Sequence, residues 1–409
     1  MVPDRFIPTV QGASSIEYSQ YVLQDEPKCR SSYHEQTRVE RAYSAALTGR
    51  DPKYDKRVML FSSQKRKVTV QRVINSFQKN KWNLKLNSFY EQSRLTDNVY
   101  NHCIDLTRER IALCGEVQSF SIINLGANVF CSFPLGNNTT ETVSAAHWTT
   151  SHLATIGTTF SFLDFYDCKA EKFTRSFEFN RSAIRVIDHE DPNTIYVGFN
   201  DGALCRVDRR SPGEGKILQV NTETISSLAI NRMIAVGNDA NELFVYDPRN
   251  FTKHVAELPG HHAAVTALNW MDRTHLISGE GSSGKCLRFW CMHDTKAPLM
   301  MSNTRSQVTG IHKLDQQTFV STHGFLASNS EKVRLWSIRD RKMVHVDSFT
   351  SPHRGRIISS AMSKSTIITG SGEKPHNGIM SQMCVWNINQ TDSKKTASSS
   401  RTYSGPQIR

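Results

Sequence analysis

The chain has 409 residues and a formal charge of +12, length enough to bury a sizeable core. Its nine cysteines are scattered without a CxxC pair, which argues against a disulfide or zinc framework and for reduced, structural thiols. No apolar run reaches membrane-spanning length and no signal-peptide core opens the chain, so no membrane partner is expected.

In chain order, residues 1–57 are polar and hold no sustained period. Val58-Met59-Leu60-Phe61 forms a short apolar island ahead of the basic run Lys65-Arg66-Lys67. Residues 1–95 carry 17 Lys and Arg against 9 Asp and Glu, so +8 of the +12 is concentrated in this arm. An arm of this charge meets an acidic surface, protein or nucleic acid, or is simply a solvated tail.

From about residue 96 the pattern changes. Short β-branched and aromatic runs alternate with Gly, Asn, Asp and Ser turns, the pattern of many short strands. The runs recur as pairs: Ile195–Gly198 with Ala203–Asp208, Met233–Gly237 with Glu242–Asp247, His275–Gly279 with Cys286–Trp290, Phe319–Thr322 with Lys332–Trp336, and Ile367–Gly370 with Met383–Trp386. Weaker copies stand at Arg110–Cys114 and His152–Gly157. Seven copies at a period of about 40 residues predict an all-β, seven-bladed WD-repeat propeller over residues 96–390, with a flexible tail, residues 391–409, behind it. The repeating Tyr246, Trp290, Trp336 and Trp386 are expected to pack one blade on the next.

Motifs that suggest enzymatic chemistry fail on context. Gly279-Glu280-Gly281-Ser282-Ser283-Gly284 matches GxGxxG, but a dinucleotide site needs a helix after the glycines and here a strand follows. Gly370-Ser371-Gly372-Glu373-Lys374 has the wrong spacing for a phosphate loop. His261-His262 lacks a third ligand at metal spacing, and most of the fifteen histidines are expected in turns or at the surface. No nucleophile–base set assembles locally. The expectation is a protein that is not an enzyme, with no catalytic residue, cofactor or metal.

Asp4-Arg5-Phe6-Ile7-Pro8, the seven blades and the terminal Ile408-Arg409 together resemble the Fizzy/Fizzy-related family, substrate-binding activators of the anaphase-promoting complex, a ubiquitin ligase. Gly260–Trp270 resembles that family's fifth blade opening; Ser306-Gln307-Val308 and Ser321–Phe325 resemble its sixth. The overall character is most like meiosis-specific fizzy-related proteins of yeasts.

The resemblance implies that residues 4–8 are a C-box and Ile408-Arg409 an IR tail, each seated on a helical-repeat ligase subunit. Arg5 would supply a planar fork of donors, Phe6 and Ile7 apolar anchors, and Pro8 a lower ordering cost. The Ser/Thr-rich segment 391–405 would be a tether reaching roughly 20 Å as a coil. The family often has Arg two residues after the proline; here Thr9-Val10 follow. Val58–Phe61 and its basic run are a candidate second ligase contact.

The resemblance also implies a KEN-box receptor made of Asn238 and Asn241 in the fourth blade, Ser282 in the fifth, Gln307 in the sixth and Arg356 in the seventh. Arg356 would pair with the degron glutamate. For a D-box the candidates are Asp97, one place from the family's acid, where Asn98 stands, and Glu373, in a Glu373-Lys374 pair that replaces the family's Asp-Glu. Expected partners are subunits of the anaphase-promoting complex and degron-bearing substrates such as cyclins and securin-type proteins, in nucleus and cytoplasm, with no nucleic acid. The rival reading is a WD-repeat scaffold whose basic arm binds nucleic acid or an acidic membrane surface; salt would discriminate, because charge-driven binding collapses as salt rises.

Overall fold

The computed structural model describes residues 59–60, 82–91, 104–107, 111–115, 119–126, 129–135, 141–211, 213, 215–324, 331–353, 355–371 and 382–390. The docking peptides (residues 4–8, 408 and 409) and the D-box candidates Asp97 and Glu373 lie outside them.

Seven antiparallel sheets form the seven blades of a β-propeller. β1 (Met59–Leu60) and β2 (Trp82–Glu91) come first in the chain. Blade one is β3 (Ile104–Leu106), β4 (Ile111–Gly115), β5 (Ser119–Asn124) and β6 (Val129–Pro134); blade two is β7 (Val143–Trp148), β8 (Leu153–Thr158), β9 (Phe162–Asp167) and β10 (Lys172–Glu178). Blade three is β11 (Ile184–His189), β12 (Thr194–Phe199), β13 (Ala203–Asp208) and β14 (Lys216–Gln219); blade four is β15 (Ile225–Ile230), β16 (Ile234–Asn238), β17 (Leu243–Tyr246) and β18 (His254–Glu257). Blade five is β19 (Val265–Trp270), β20 (His275–Glu280), β21 (Cys286–Cys291) and β22 (Met300–Asn303); blade six is β23 (Val308–Lys313), β24 (Thr318–His323), β25 (Val333–Arg339) and β26 (Lys342–Phe349). Blade seven is β27 (Ile357–Ser363), β28 (Thr366–Ser371) and β29 (Gln382–Gln390), and its fourth, outer strand is β2.

β2 pairs with β29 from Trp82↔Gln390 to Glu91↔Gln382, so a strand that precedes blade one in the chain is laced to the last strand of blade seven. This strand lies ahead of residue 96, where the repeat pattern begins. A lone alternating run has no local partner to mark it as part of a blade. β1 adds to the outer edge of blade one through Met59↔Phe130. Such lacing closes the ring and covers an otherwise open sheet edge.

Within each blade the strands run from the axis outward, a to d. The inner strands β3, β7, β11, β15, β19, β23 and β27 touch in turn, and β27 touches β3 to complete the circle. One hydrophobic cluster fills each junction between blades. The repeating aromatics sit in these clusters, as expected: Tyr246 against Tyr196 and Leu204 of blade three, Trp290 among blade-four residues, Trp336 against Phe289, and Trp386 against Leu335. The junctions leave no room beside the b strands. A Cβ on Gly157 would stand 2.5 Å from the Ile184 side chain, and one on Gly279 2.6 Å from that of Val308.

Three histidines, His261, His323 and His353, are core residues, exceptions to the turn and surface positions expected of most. His261 bonds Ser278 at 2.8 Å, and Ser278 accepts from the Trp290 indole at 2.9 Å. His353, Thr369 and Trp386 repeat the relay in blade seven at 2.8 and 3.1 Å. In blade six the imidazole comes from the b strand itself: His323 bonds Ser321 at 2.7 Å, and Trp336 donates to Ser321 at 2.7 Å. A buried indole N–H needs an acceptor, and the hydroxyl serves both rings. Linear sequence does not display this need, because the partners come from three different segments in blades five and seven and from two in blade six.

Candidate functional site

Because the strands alternate in direction, b–c turns and d–a connections gather on one face of the ring, and a–b and c–d turns on the other. The candidate receptor residues follow this rule. Asn241 and Ser282 lie in b–c turns of blades four and five, and Gln307 and Arg356 end the d–a connections into blades six and seven. All are on one face. Gln307 and Arg356 also line one cavity of ≈ 510 Å³ that runs along the inner strands.

The support beneath these two is specific. Gln307 is 1% exposed, and its carbonyl accepts from the Gly324 amide at 3.1 Å. A Cβ on Gly324 would meet the Gln307 Oε1 at 2.6 Å, so the glycine makes room for the amide. Lys332, 3% exposed, donates to the carbonyls of His353 at 2.9 Å and Gly355 at 2.5 Å. The ammonium thus pins the connection that ends in Arg356. Its charge, after burial, also helps to push the His353 pKa down to about 3.

The other candidates divide. Asn241 is exposed and holds φ 68°, a left-handed turn position that Asn tolerates well. Ser282 is half-buried. Asn238 is fully buried; its amide donates to the Glu242 carboxylate at 2.8 Å and its oxygen accepts from the Glu242 N–H at 2.9 Å. It shapes the turn, and Glu242 engages both ends of its amide. The GxGxxG segment is likewise a b–c turn, in which Glu280, fully buried, pairs with buried Arg288 and accepts from the His262 N–H at 2.9 Å.

Sequence reasoning missed Arg185. It lines the same cavity and is 6% exposed. Burial lowers its pKa and nearby Asp239 raises it; a guanidinium remains charged under such opposing pulls. A signal was present. In the second place of the inner strand, blades two, four and five carry Ser144, Ser226 and Thr266, whose hydroxyls donate to the carbonyls of Ile184, Val265 and Val308 at the next blade. Blade three puts Arg185 there.

At the opposite end the channel is ringed by polar side chains, each bridging to the next blade. Asp105 accepts from the Trp148 N–H at 2.6 Å, His147 meets His189 at 2.5 Å, and Asp188 accepts from the Ile230 N–H at 2.9 Å. Asn231 donates to the Asp272 carbonyl at 3.1 Å, Asn269 to that of Ile311 at 2.9 Å, and His312 meets Ser360 at 2.8 Å. Burial pulls the His147 pKa down, but Asp105, 3.0 Å from its Nδ1, more than offsets this and holds it at about 9. Burial and the neighbouring His147 lower His189 to about 4, and burial raises Asp188.

No family model matches the chain. It is 26% identical over 292 residues to Protein FIZZY-RELATED 2 of Arabidopsis thaliana, covering 68% of this chain and 58% of that one. It is 33% identical over 149 residues to the B-type cell cycle switch protein ccs52A of Medicago truncatula, 35% of this chain and 30% of that one. Against the anaphase-promoting complex subunit cdh1 of Dictyostelium discoideum it is 28% identical over 155 residues, 37% of this chain and 19% of that one. The chain therefore spans 58–59% of the length of the two Arabidopsis relatives. Among solved structures, a chain of the Mitotic Checkpoint Complex matches with a TM-score of 0.67 at 18% identity, covering 78% of this chain and all of that one. The RRP9 WD40 repeats match with 0.62 at 11%, covering 75% and 97%. These structural likenesses establish the propeller fold.

Proposed function

We propose that the chain is an activator of the Fizzy-related type, a non-enzymatic receptor that carries degron-bearing substrates to the anaphase-promoting complex. The observation that carries the reading is the convergence of Gln307 and Arg356 on one mouth of the channel. The family resemblance assigns those two positions, from blades six and seven, to KEN-box recognition. The relatives named for Fizzy-related, cell-cycle-switch and anaphase-promoting-complex proteins support the same class.

In this reading Arg356 pairs with the degron glutamate through a charge-assisted bond, and Gln307 offers its amide to the asparagine or the peptide backbone. Asn241 and Ser282 flank the peptide on neighbouring turns, and Asn238 holds the turn that presents Asn241. Arg185 adds a second cation to the mouth and favours acidic peptides. Residues 4–8 dock as the C-box and Ile408-Arg409 as the IR tail; Asp97 and Glu373 are the proposed acids for a D-box arginine. Action in meiosis, in nucleus and cytoplasm, belongs to the same proposal.

Affinity purification of the full chain beside one lacking Ile408-Arg409 tests the docking half. Ligase subunits are expected with the first and depleted with the second at equal expression. Equal recovery would remove the IR-tail assignment, and no recovery from either would remove the ligase.

A further inference from the structure

The cluster at the a–b end of the channel has a feature that its neighbours lack. At the other blade junctions in that ring a donor meets an oxygen: an amide N–H, a side-chain amide or an imidazole against a carboxylate, carbonyl or hydroxyl. Between blades two and three, two imidazole nitrogens face each other, His147 Nε2 and His189 Nδ1, at 2.5 Å. The Asp188 Oδ1 stands 3.9 Å from that same His189 nitrogen. All three ligand atoms lie within 4.8 Å of one another. The two nitrogens share one proton in this hydrogen bond; a cation that displaces it meets two imidazole nitrogens and a carboxylate turned toward one point, which form a donor set.

We propose that His147, His189 and Asp188 bind one divalent transition-metal ion of the zinc class, inside the channel, where it ties blade two to blade three. An N₂O set of two imidazoles and one carboxylate suits Zn²⁺, Ni²⁺ or Cu²⁺ better than Mg²⁺ or Ca²⁺, which prefer all-oxygen shells. Zinc–nitrogen bonds are about 2.0–2.1 Å, so neighbouring ligands of a tetrahedron stand roughly 3.3 Å apart. The imidazoles must open by somewhat under an ångström and Asp188 must close by a similar amount. Side-chain rotation suffices for that.

The surroundings are already arranged for it. Asp105 accepts from His147 Nδ1 at 3.0 Å, which leaves Nε2 as the ligating nitrogen. A carboxylate behind a ligating histidine is the usual orienting partner at metal sites. Asp105 is itself fixed by the backbone N–H groups of Leu106 at 2.7 Å and Trp148 at 2.6 Å. Asp188 is fixed by those of His189 at 2.8 Å and Ile230 at 2.9 Å. Each carboxylate oxygen keeps a second lone pair for the ion. The side chains of His147, Asp188 and His189 are 21%, 26% and 30% exposed, and His147 and Asp188 line the open channel, which supplies an entry path and a fourth position for water.

The test uses the purified full chain, stripped with chelator and titrated with ZnCl₂ by calorimetry and with CoCl₂ by visible absorption. One equivalent is expected to bind, with the intense d–d bands of a low-coordinate Co²⁺ site, and Zn²⁺ is expected to raise the thermal midpoint. His189→Gln keeps a polar side chain of similar reach and is expected to abolish the stoichiometric site. Asp105→Asn is expected to keep the stoichiometry and weaken affinity about 10–100-fold. The metal-free midpoints of both variants report folding separately. Absence of a one-equivalent site in the parent chain would overturn the proposal. So would unchanged Zn²⁺ affinity and Co²⁺ spectrum in a folded His189→Gln chain, because the ion would then be held elsewhere.

Discussion

At one end of the central channel the inner strands present two guanidiniums, Arg185 and Arg356, and the amide of Gln307. The imidazoles of that end, His261 and His353, are turned back into the blades and hydrogen-bonded to Ser278 and Thr369. At the other end the imidazoles of His147 and His312 face the channel beside the carboxylates of Asp105 and Asp188. The same strand scaffold thus carries a cationic, amide-bearing mouth at one end and a self-bonded ring of acids and imidazoles at the other. The polar groups of the far end bond one another across the blades, whereas the guanidiniums at the mouth are proposed to meet a peptide carboxylate. In the proposed reading recognition belongs to the mouth and blade-to-blade stitching to the far end, and variants at the two ends should separate these effects.

The largest expected effect on both is at Lys332. Lys332→Met keeps the bulk but leaves the His353 and Gly355 carbonyls without their donor, at a cost of about 1–3 kcal/mol for each. Thermal melting should drop by several degrees and KEN-peptide affinity should fall with it, since Arg356 follows Gly355. Gly324→Ala is milder and more selective. Its Cβ displaces the Gln307 amide, and peptide affinity should fall about tenfold, roughly 1.4 kcal/mol, with little change in melting. A melting loss without an affinity loss would show that Gln307 does not touch the peptide.

The buried imidazoles behind the mouth predict an acid limb in the stability profile. Burial, first, then the Arg288 charge holds His261 at about 3, and burial with the Lys332 charge holds His353 at about 3. In the unfolded chain each titrates near 6.5, so the unfolded state binds more protons below that pH. Their contribution is complete above about pH 6.5 and declines as pH falls toward 3, by up to about 1.4 kcal/mol per pH unit for each ring. Denaturant melts between pH 7 and 5 check this, and His353→Gln should flatten the slope. The smallest effect is expected at the far end: His147→Ala should change KEN-peptide affinity less than about twofold, because it lies beyond the peptide's reach at the opposite mouth. A larger change would mean that the two ends are coupled.

The sequence was legible where its period indexes positions. The b and c strands and the aromatic packing follow from knowing where each copy's turns fall, whereas Asn241, Ser282, Gln307 and Arg356 are picked out by the family resemblance. It was less legible where partners are distant. β2 is invisible as a blade strand because β29 lies roughly 300 residues away. The ring of His147, His189 and Asp188 is assembled from two inner strands that no short motif joins. Asn238 read as a receptor amide because turn asparagines look alike until Glu242 is seen to occupy both of its ends. Arg185 was missed, although it stands at a place in the inner strand where blades two, four and five have the hydroxyls of Ser144, Ser226 and Thr266, and that departure is the signal that could have found it.

The central claim is that the d–a mouth is a receptor for a KEN-type peptide whose glutamate faces Arg356. A fluorescence-anisotropy titration of a KEN-box peptide against the full chain and its Arg356→Glu variant tests it most directly. The substitution sets like charge against the peptide glutamate, a change of about 2–5 kcal/mol, so the account predicts saturable binding to the parent chain and a loss on the order of 100-fold or more in a variant that melts normally. Equal affinity in the two chains, or no binding to either, would contradict it.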